Sequence, residues 1–230
     1  MTVTATGLTQ SAAVAAAAAG AIFIAVQINH PPMEVASVQT TEWVVRSCAK
    51  AVMAALALAG ITGIYLRQHR QAGVLGLLGY LLFAAGYLLM FGVEVVAATV
   101  LPALTGTQPG YVRDVIVTAA GGAPTAGIGA FQSVLTLSGI GYMVGGLIFG
   151  VALFRTRILA RWAAALLAVG TISTLALAVL PEAFNRPLAV PVGVALIGLG
   201  VSLFRDQRRS ASATVTSTAP AGPVRESAAR

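Results

Sequence analysis

Apolar residues fall into six long runs, separated by short polar or proline-bearing segments. The runs cover about Gln10 to Ile28, Val44 to Leu66, Val74 to Leu101, Phe131 to Phe154, Trp162 to Leu180 and Leu188 to Phe204. A helix rising 1.5 Å per residue crosses a hydrocarbon core in about 20 residues, so each run is long enough to span. The third is long enough to require tilt or protrusion. Helix-stopping segments follow the runs: Asn29-His30-Pro31-Pro32, Arg67-Gln68-His69-Arg70, Pro102, Arg155 with Arg157, Pro181, and Arg205 through Arg209. The pattern predicts an all-α, polytopic membrane bundle of six transmembrane helices over residues 1–209. Residues 210–230 are rich in Ser, Thr, Ala and Pro without apolar periodicity, and read as a disordered cytoplasmic tail.

Charge gives these helices a direction. Arg67, Arg70, Arg155, Arg157, Arg161, Arg205, Arg208 and Arg209 fall at one set of helix ends. The opposite ends hold Arg46, Lys50, Arg113 and Arg186, with Glu34, Glu42, Asp114 and Glu182. Positive residues concentrate on the cytoplasmic side of membrane proteins, so both termini are expected in the cytoplasm. The competing account of the first run is a cleaved signal peptide, but it lacks a positive leading segment and exceeds the usual apolar length.

Composition agrees with this picture and removes others. Hydrophobic residues make up 57% of the chain and charged residues 9%, against about 25% charged in a soluble domain. The net charge of +7 would point to nucleic acid in a soluble protein, but here the arginines lie where helices leave the bilayer. Nucleic acid is therefore not an expected partner, and the lipid bilayer is. Arginine in place of lysine, with abundant Ala, Gly and Val, is the usage of a GC-rich bacterial genome. The single cysteine, Cys48, excludes an intramolecular disulfide and reads as a small hydrophobe in an apolar helix.

The one long loop, 103–130 on the outer side, carries turn signals at Thr105–Gly110 and Gly121–Pro124. Between them, Tyr111 to Ala120 can form a short interfacial helix with Arg113 and Asp114 towards water. It reads as a cap over the bundle or as a binding loop. Small residues recur four apart at Gly141/Gly145, Gly146/Gly150 and Ala55/Ala59/Gly63, which allows close helix packing within one chain or in a homo-oligomer. Three helices also end alike in Leu-Arg or Leu-Phe-Arg, as a duplicated hairpin or as convergent stop signals.

Few residues can carry chemistry. Glu94 lies inside the third run, where burial of a carboxylate is expensive and raises a functional role, although its shallow depth favours a structural one over proton or ion transfer. Counting along the helix puts it roughly 30 Å from the cytoplasmic end, level with Arg46 and near Lys50, so an ion pair with either is expected. Gln27, Asn29, His30, Gln132, Ser133 and Glu182 share this outer zone; Thr171, Ser173 and Thr174 lie deeper, where hydroxyls bond back to helix carbonyls. The ligand or ion-pair candidates are Glu94, Arg46, Lys50, His30, Gln27 and Gln132. No metal or cofactor is expected: His30 with Glu34 or Glu94 lacks recognisable ligand spacing, and His30 and His69 lie at opposite faces, which excludes a shared haem. No zinc-protease, nucleophile-elbow or phosphate-loop motif occurs, and no catalytic residues are assigned.

The segment Gly141-Tyr142-Met143-Val144-Gly145-Gly146-Leu147-Ile148-Phe149-Gly150, continuing through Arg155 to Trp162, resembles the later helices of uncharacterised six- to seven-helix bacterial integral membrane proteins of a domain-of-unknown-function type. The resemblance covers a quarter to a third of the chain and implies architecture, not activity. Two functions follow as expectations: small-solute transport or ligand binding through the outer polar cluster around Glu94, or a non-enzymatic membrane partner or assembly protein. The scarcity of nucleophiles and acids puts a membrane enzyme behind both.

Overall fold

The computed structural model describes residues 4–173, 175 and 187–217, without the side chains of 211–217. The described residues are helical without strands. The elements are α1 (Ala5–Ala25), α2 (Val35–Val38), α3 (Thr41–Thr99), α4 (Leu101–Leu104), α5 (Pro109–Ala119), α6 (Phe131–Thr156), α7 (Arg161–Ile172) and α8 (Val190–Ser217). A 3-10 turn, Pro187–Ala189, leads into α8. Four helices (α1, α3, α6 and α8) are long and apolar enough to cross a membrane.

The 59 residues of α3 would extend about 88 Å if straight. They do not, because Gln68 (φ −134°, ψ 18°) and Gly73 (φ 57°, ψ −155°) leave helical geometry. The second conformation is essentially confined to glycine. The helix therefore doubles back into two arms, 41–67 and 74–99. Tyr65 and Tyr80 stack at 4.6 Å across the hairpin, and the Thr62 and Tyr80 hydroxyls are 3.0 Å apart. Gln68 is fully buried in the bend; its side-chain carbonyl accepts from the Thr156 hydroxyl at 2.6 Å and ties the hairpin to the end of α6.

Helix starts follow local sequence. The Thr4 hydroxyl accepts from Gly7 N–H at 3.1 Å, and that of Thr40 accepts from Trp43 N–H at 3.2 Å, each satisfying a free donor of the first turn. Pro102 and Pro109 sit in the first turns of α4 and α5, where a missing N–H leaves no helix bond unmade. Thus helix does not stop at Pro102: α3 ends at Thr99, Val100 keeps right-handed helical angles (φ −93°, ψ −48°), and α4 runs over that proline.

The helices close into a ring in chain order, each antiparallel to its neighbours. A glycine sits at every seam beside α1, α6 and α8, and at most of them it brings two backbones together. A Cβ on Gly60 would lie 2.6 Å from Ala16 Cα, one on Gly20 2.3 Å from the Gly193 carbonyl, and one on Gly200 2.5 Å from that of Ala13. The second arm of α3 meets α6 in the same way, through Gly79 against Phe149 and Gly145 against Phe83. Gly150 meets Ala168 of α7, and Gly198 of α8 meets the Trp162 ring. The two small-residue rows of α6 thus serve two different neighbours within one chain. Inside the ring, Met53, Ile61, Phe83, Tyr87, Phe149 and Leu199 are at most 1% exposed, so the centre is filled with side chains.

Antiparallel order gathers Arg67, Arg70, Arg155, Arg157, Arg161, Arg205, Arg208 and Arg209 at one end of the bundle, together with the start of α1. The opposite, loop end carries α2, α4 and α5, whose Val112, Val115 and Ile116 pack with Val38, Trp43 and Leu101 into a second, smaller core. α8 continues as helix to Ser217, beyond Phe204 and into the first part of the 210–230 segment. The end of the fifth apolar run, Thr174, Glu182, Arg186 and residues 218–230 lie outside the described residues.

Candidate functional site

At the loop end the two arms of α3 lie side by side and bring residues distant in sequence together. Trp43 Nε1 donates to the Ala97 carbonyl at 3.0 Å, fixing the register between the arms. One to two turns further into the bundle, Lys50 Nζ is 3.8 Å from Glu94 Oε1. Their side chains are 19% and 16% exposed, so the pair is mostly withdrawn from solvent. Its separation is longer than the 2.7–2.9 Å of a tight charge-assisted hydrogen bond, which leaves the carboxylate room to accept further donors.

Glu94 borders two spaces. The first is a recess of about 60 Å³ beneath α5, lined by Trp43, Ser47, Lys50, Glu94, Ile116 and Phe131. The second is an open cleft of about 450 Å³ between α3, α5 and α6, lined in part by Met90, Glu94, Thr118, Gln132 and Ser138. A carboxylate between a recess and an open cleft can meet a solute entering from the cleft. Apolar surroundings strengthen any charge-assisted contact made there.

The expected alternative partner, Arg46, is engaged elsewhere. Its NH2 lies 2.8 Å from Glu42 Oε1, and its guanidinium donates to the carbonyls of Val26, Ile28 and Asn29 at 3.2, 2.8 and 3.0 Å. Those carbonyls lie where α1 ends and Asn29 turns through a left-handed conformation (φ 50°), which asparagine tolerates. Arg46 therefore caps α1 and closes its turn. His30 Nδ1 donates to the Pro31 carbonyl at 2.8 Å, and its ring meets Trp43 edge-on at 6.4 Å. Gln27 lies in the turn after α1, and Gln132 lines the open cleft. Of the six candidates, the structure brings Glu94 and Lys50 into contact, sets Gln132 on the same cleft, and keeps Arg46, His30 and Gln27 with the α1 turn.

Asp114 does not face water, contrary to the sequence expectation; it is 2% exposed. One turn of α5 points it under the loop that follows, where its oxygens accept from Thr125 N–H at 3.2 Å and Ala126 N–H at 2.8 Å. The Ala126 and Thr125 amides, with the Arg113 guanidinium alongside, hold its carboxyl below the ordinary carboxylate range despite the opposing cost of burial. Arg113 is the member of the pair that reaches solvent, at 55% side-chain exposure. Asp114 thus fixes the roof of the Glu94 recess. Sequence reading also passed over Trp43 and Ser47; tryptophan at a helix start opposite a small residue, Ala97, was the available signal. Cys48 is exposed on the outside of the first arm and takes no part in this site. Among the described residues no three His, Cys, Asp or Glu side chains cluster as metal ligands.

The chain was compared with models of protein families, with curated proteins and with solved structures, and none of them matches it.

Proposed function

We propose that the chain is a multi-pass protein of the bacterial cell membrane whose six spanning segments are α1, the two arms of α3, α6, the fifth apolar run of the sequence, which opens with α7, and α8. Both termini are then cytoplasmic, since the arginine end carries most of the positive charge. Its function is to bind a small polar solute at the outer side, between Glu94 and Lys50. The observation that carries this reading is the position of Glu94, paired at 3.8 Å and bordering both recess and cleft. The filled centre of the ring favours ligand binding over an open conduit. The resemblance of Gly141–Trp162 to uncharacterised bacterial membrane proteins supports the architecture alone.

The pair is electrically balanced, so the favoured solute is dipolar, with a donor for Glu94 and an acceptor for Lys50. The recess is small: one water needs about 10–15 Å³ of free space, so about 60 Å³ admits a few non-hydrogen atoms. The test is thermal unfolding of the purified chain in detergent with a panel of small zwitterionic, cationic and neutral polar solutes. A binding solute present at 100 times its Kd stabilises by about 2.7 kcal/mol. That stabilisation is expected to disappear in Glu94→Gln and in Lys50→Met. A panel without effect on the wild type, or a shift that survives both substitutions, overturns the assignment.

A further inference from the structure

At the arginine end, α7 and α8 enclose a groove of about 450 Å³ that the Glu94 site does not touch. Its wall is graded along α8. Val194, Ile197 and Val201 come first, and Arg205 and Arg209 follow one and two turns beyond Val201. From Val194 to Arg205 the helix rises about 16 Å. Trp162, 59% exposed, forms the facing side, its ring seated against Gly198, where a Cβ would come within 2.4 Å. α7 starts at the same level, with Ala160 N–H donating to the Ser202 hydroxyl at 2.9 Å. The positive end of the α7 dipole therefore lies beside the two arginines.

The one acidic residue on this groove is already neutralised. Asp206 accepts from Arg67 Nε at 2.6 Å, across from the α3 hairpin. Among the described residues no ion pair engages Arg205 or Arg209, which leaves two positive charges one helical turn apart at the head of an apolar channel.

We infer that this groove is a binding site for an anionic phospholipid of the surrounding bilayer, with the phosphate headgroup at Arg205 and Arg209 and an acyl chain along Val201, Ile197 and Trp162. Two positive charges favour an anionic over a zwitterionic headgroup. The apolar wall favours a lipid over a soluble phosphate, which would leave it uncovered. Trp162 sits at the depth where an amphipathic ring prefers to lie, between headgroup and chain. The inference uses the membrane reading but is independent of Glu94.

The test reads Trp162 directly, because the other tryptophan, Trp43, is only 6% exposed. The full chain is reconstituted in phosphatidylcholine vesicles, and phosphatidylglycerol or phosphatidylcholine with brominated acyl chains is titrated in. Brominated phosphatidylglycerol is expected to quench at a lower mole fraction than brominated phosphatidylcholine, and the quenched component to vanish in Trp162→Phe. An interfacial arginine contributes roughly fivefold, so Arg205→Gln with Arg209→Gln is expected to weaken the preference about 25-fold. Arg155→Gln with Arg157→Gln, at the same end but off the groove, keeps it. Raised salt weakens it by screening. Equal quenching by the two lipids, a preference that survives loss of Arg205 and Arg209, or its displacement by millimolar inorganic phosphate overturns the inference.

Discussion

The Lys50–Glu94 contact makes a quantitative prediction that separates its structural worth from its role in binding. Two unit charges 3.8 Å apart attract by about 4 kcal/mol at an effective dielectric of about 20. Withdrawal of both groups from water offsets much of this, and the residual exposure of 19% and 16% lets solvent screen the rest. The net coupling is therefore expected at about 1–3 kcal/mol. Glu94→Gln takes the carboxylate charge away from the Lys50 ammonium, and Lys50→Met takes the ammonium away from a carboxylate set among apolar neighbours. Each single variant should lose about 2–4 kcal/mol, while Lys50→Met with Glu94→Gln together should lose less than the sum by the coupling. Equilibrium unfolding of the four proteins in mixed micelles, titrated with a denaturing detergent, measures all corners of the cycle. Additive losses, within about 0.5 kcal/mol, would refute the argument that the two charges sense one another at this site.

Two other predictions concern the elements that shape the site. Asp114 is held in its ionised form by the Thr125 and Ala126 amides, so its folded-state pKa lies below the unfolded value. Its contribution is present above the unfolded pKa and is lost as pH falls through the folded one. Protection of the Thr125 and Ala126 amides, measured as the exchange rate relative to the intrinsic rate at each pH, should therefore fall on acidification; Asp114→Asn should show weak protection already at neutral pH, and a pH-independent protection factor in the wild type would contradict the assignment. Gly73→Ala should cost about 1–3 kcal/mol from backbone strain alone, since a Cβ there meets nothing within 4 Å. The same unfolding titration checks it, and a neutral or stabilising result would mean that the hairpin does not need that conformation.

The bundle was legible where one residue type carries the message. Arginine at alternate run ends announced the common end that the antiparallel ring then gathers. The gap between Leu66 and Val74 separated two runs that the structure joins as one helical hairpin. Its sharp bend rests on Gly73, and the burial of Gln68 inside it could not be read from a polar stretch that looked like a stop signal. Gly141, Gly145, Gly146 and Gly150 were recognisable as packing residues, but not that one pair serves α3 and the other α7, because that depends on helix rotation. At the site, Glu94 stood out because a carboxylate in an apolar run is costly. Its choice of Lys50 over Arg46 was hidden, since the decision lies in the turn after α1, whose carbonyls capture the guanidinium. Asp114 was misread for a similar reason: its partners are backbone amides, whose placement no side-chain pattern records.

The closed ring has a consequence for biosynthesis. The seam that completes it joins the first helix to the last, with Gly20 against Gly193 and the Ala13 carbonyl against Gly200. Those partners are separated by nearly the whole chain, so α1 emerges from the ribosome long before its second neighbour exists. Until α8 arrives, the Ala13–Gly20 face stays uncovered, although its seam with the first arm of α3 can already form. Assembly thus ends on a long-range closure, and a nascent chain truncated before residue 190 should be an open helical arc, the form that cellular quality control would meet first.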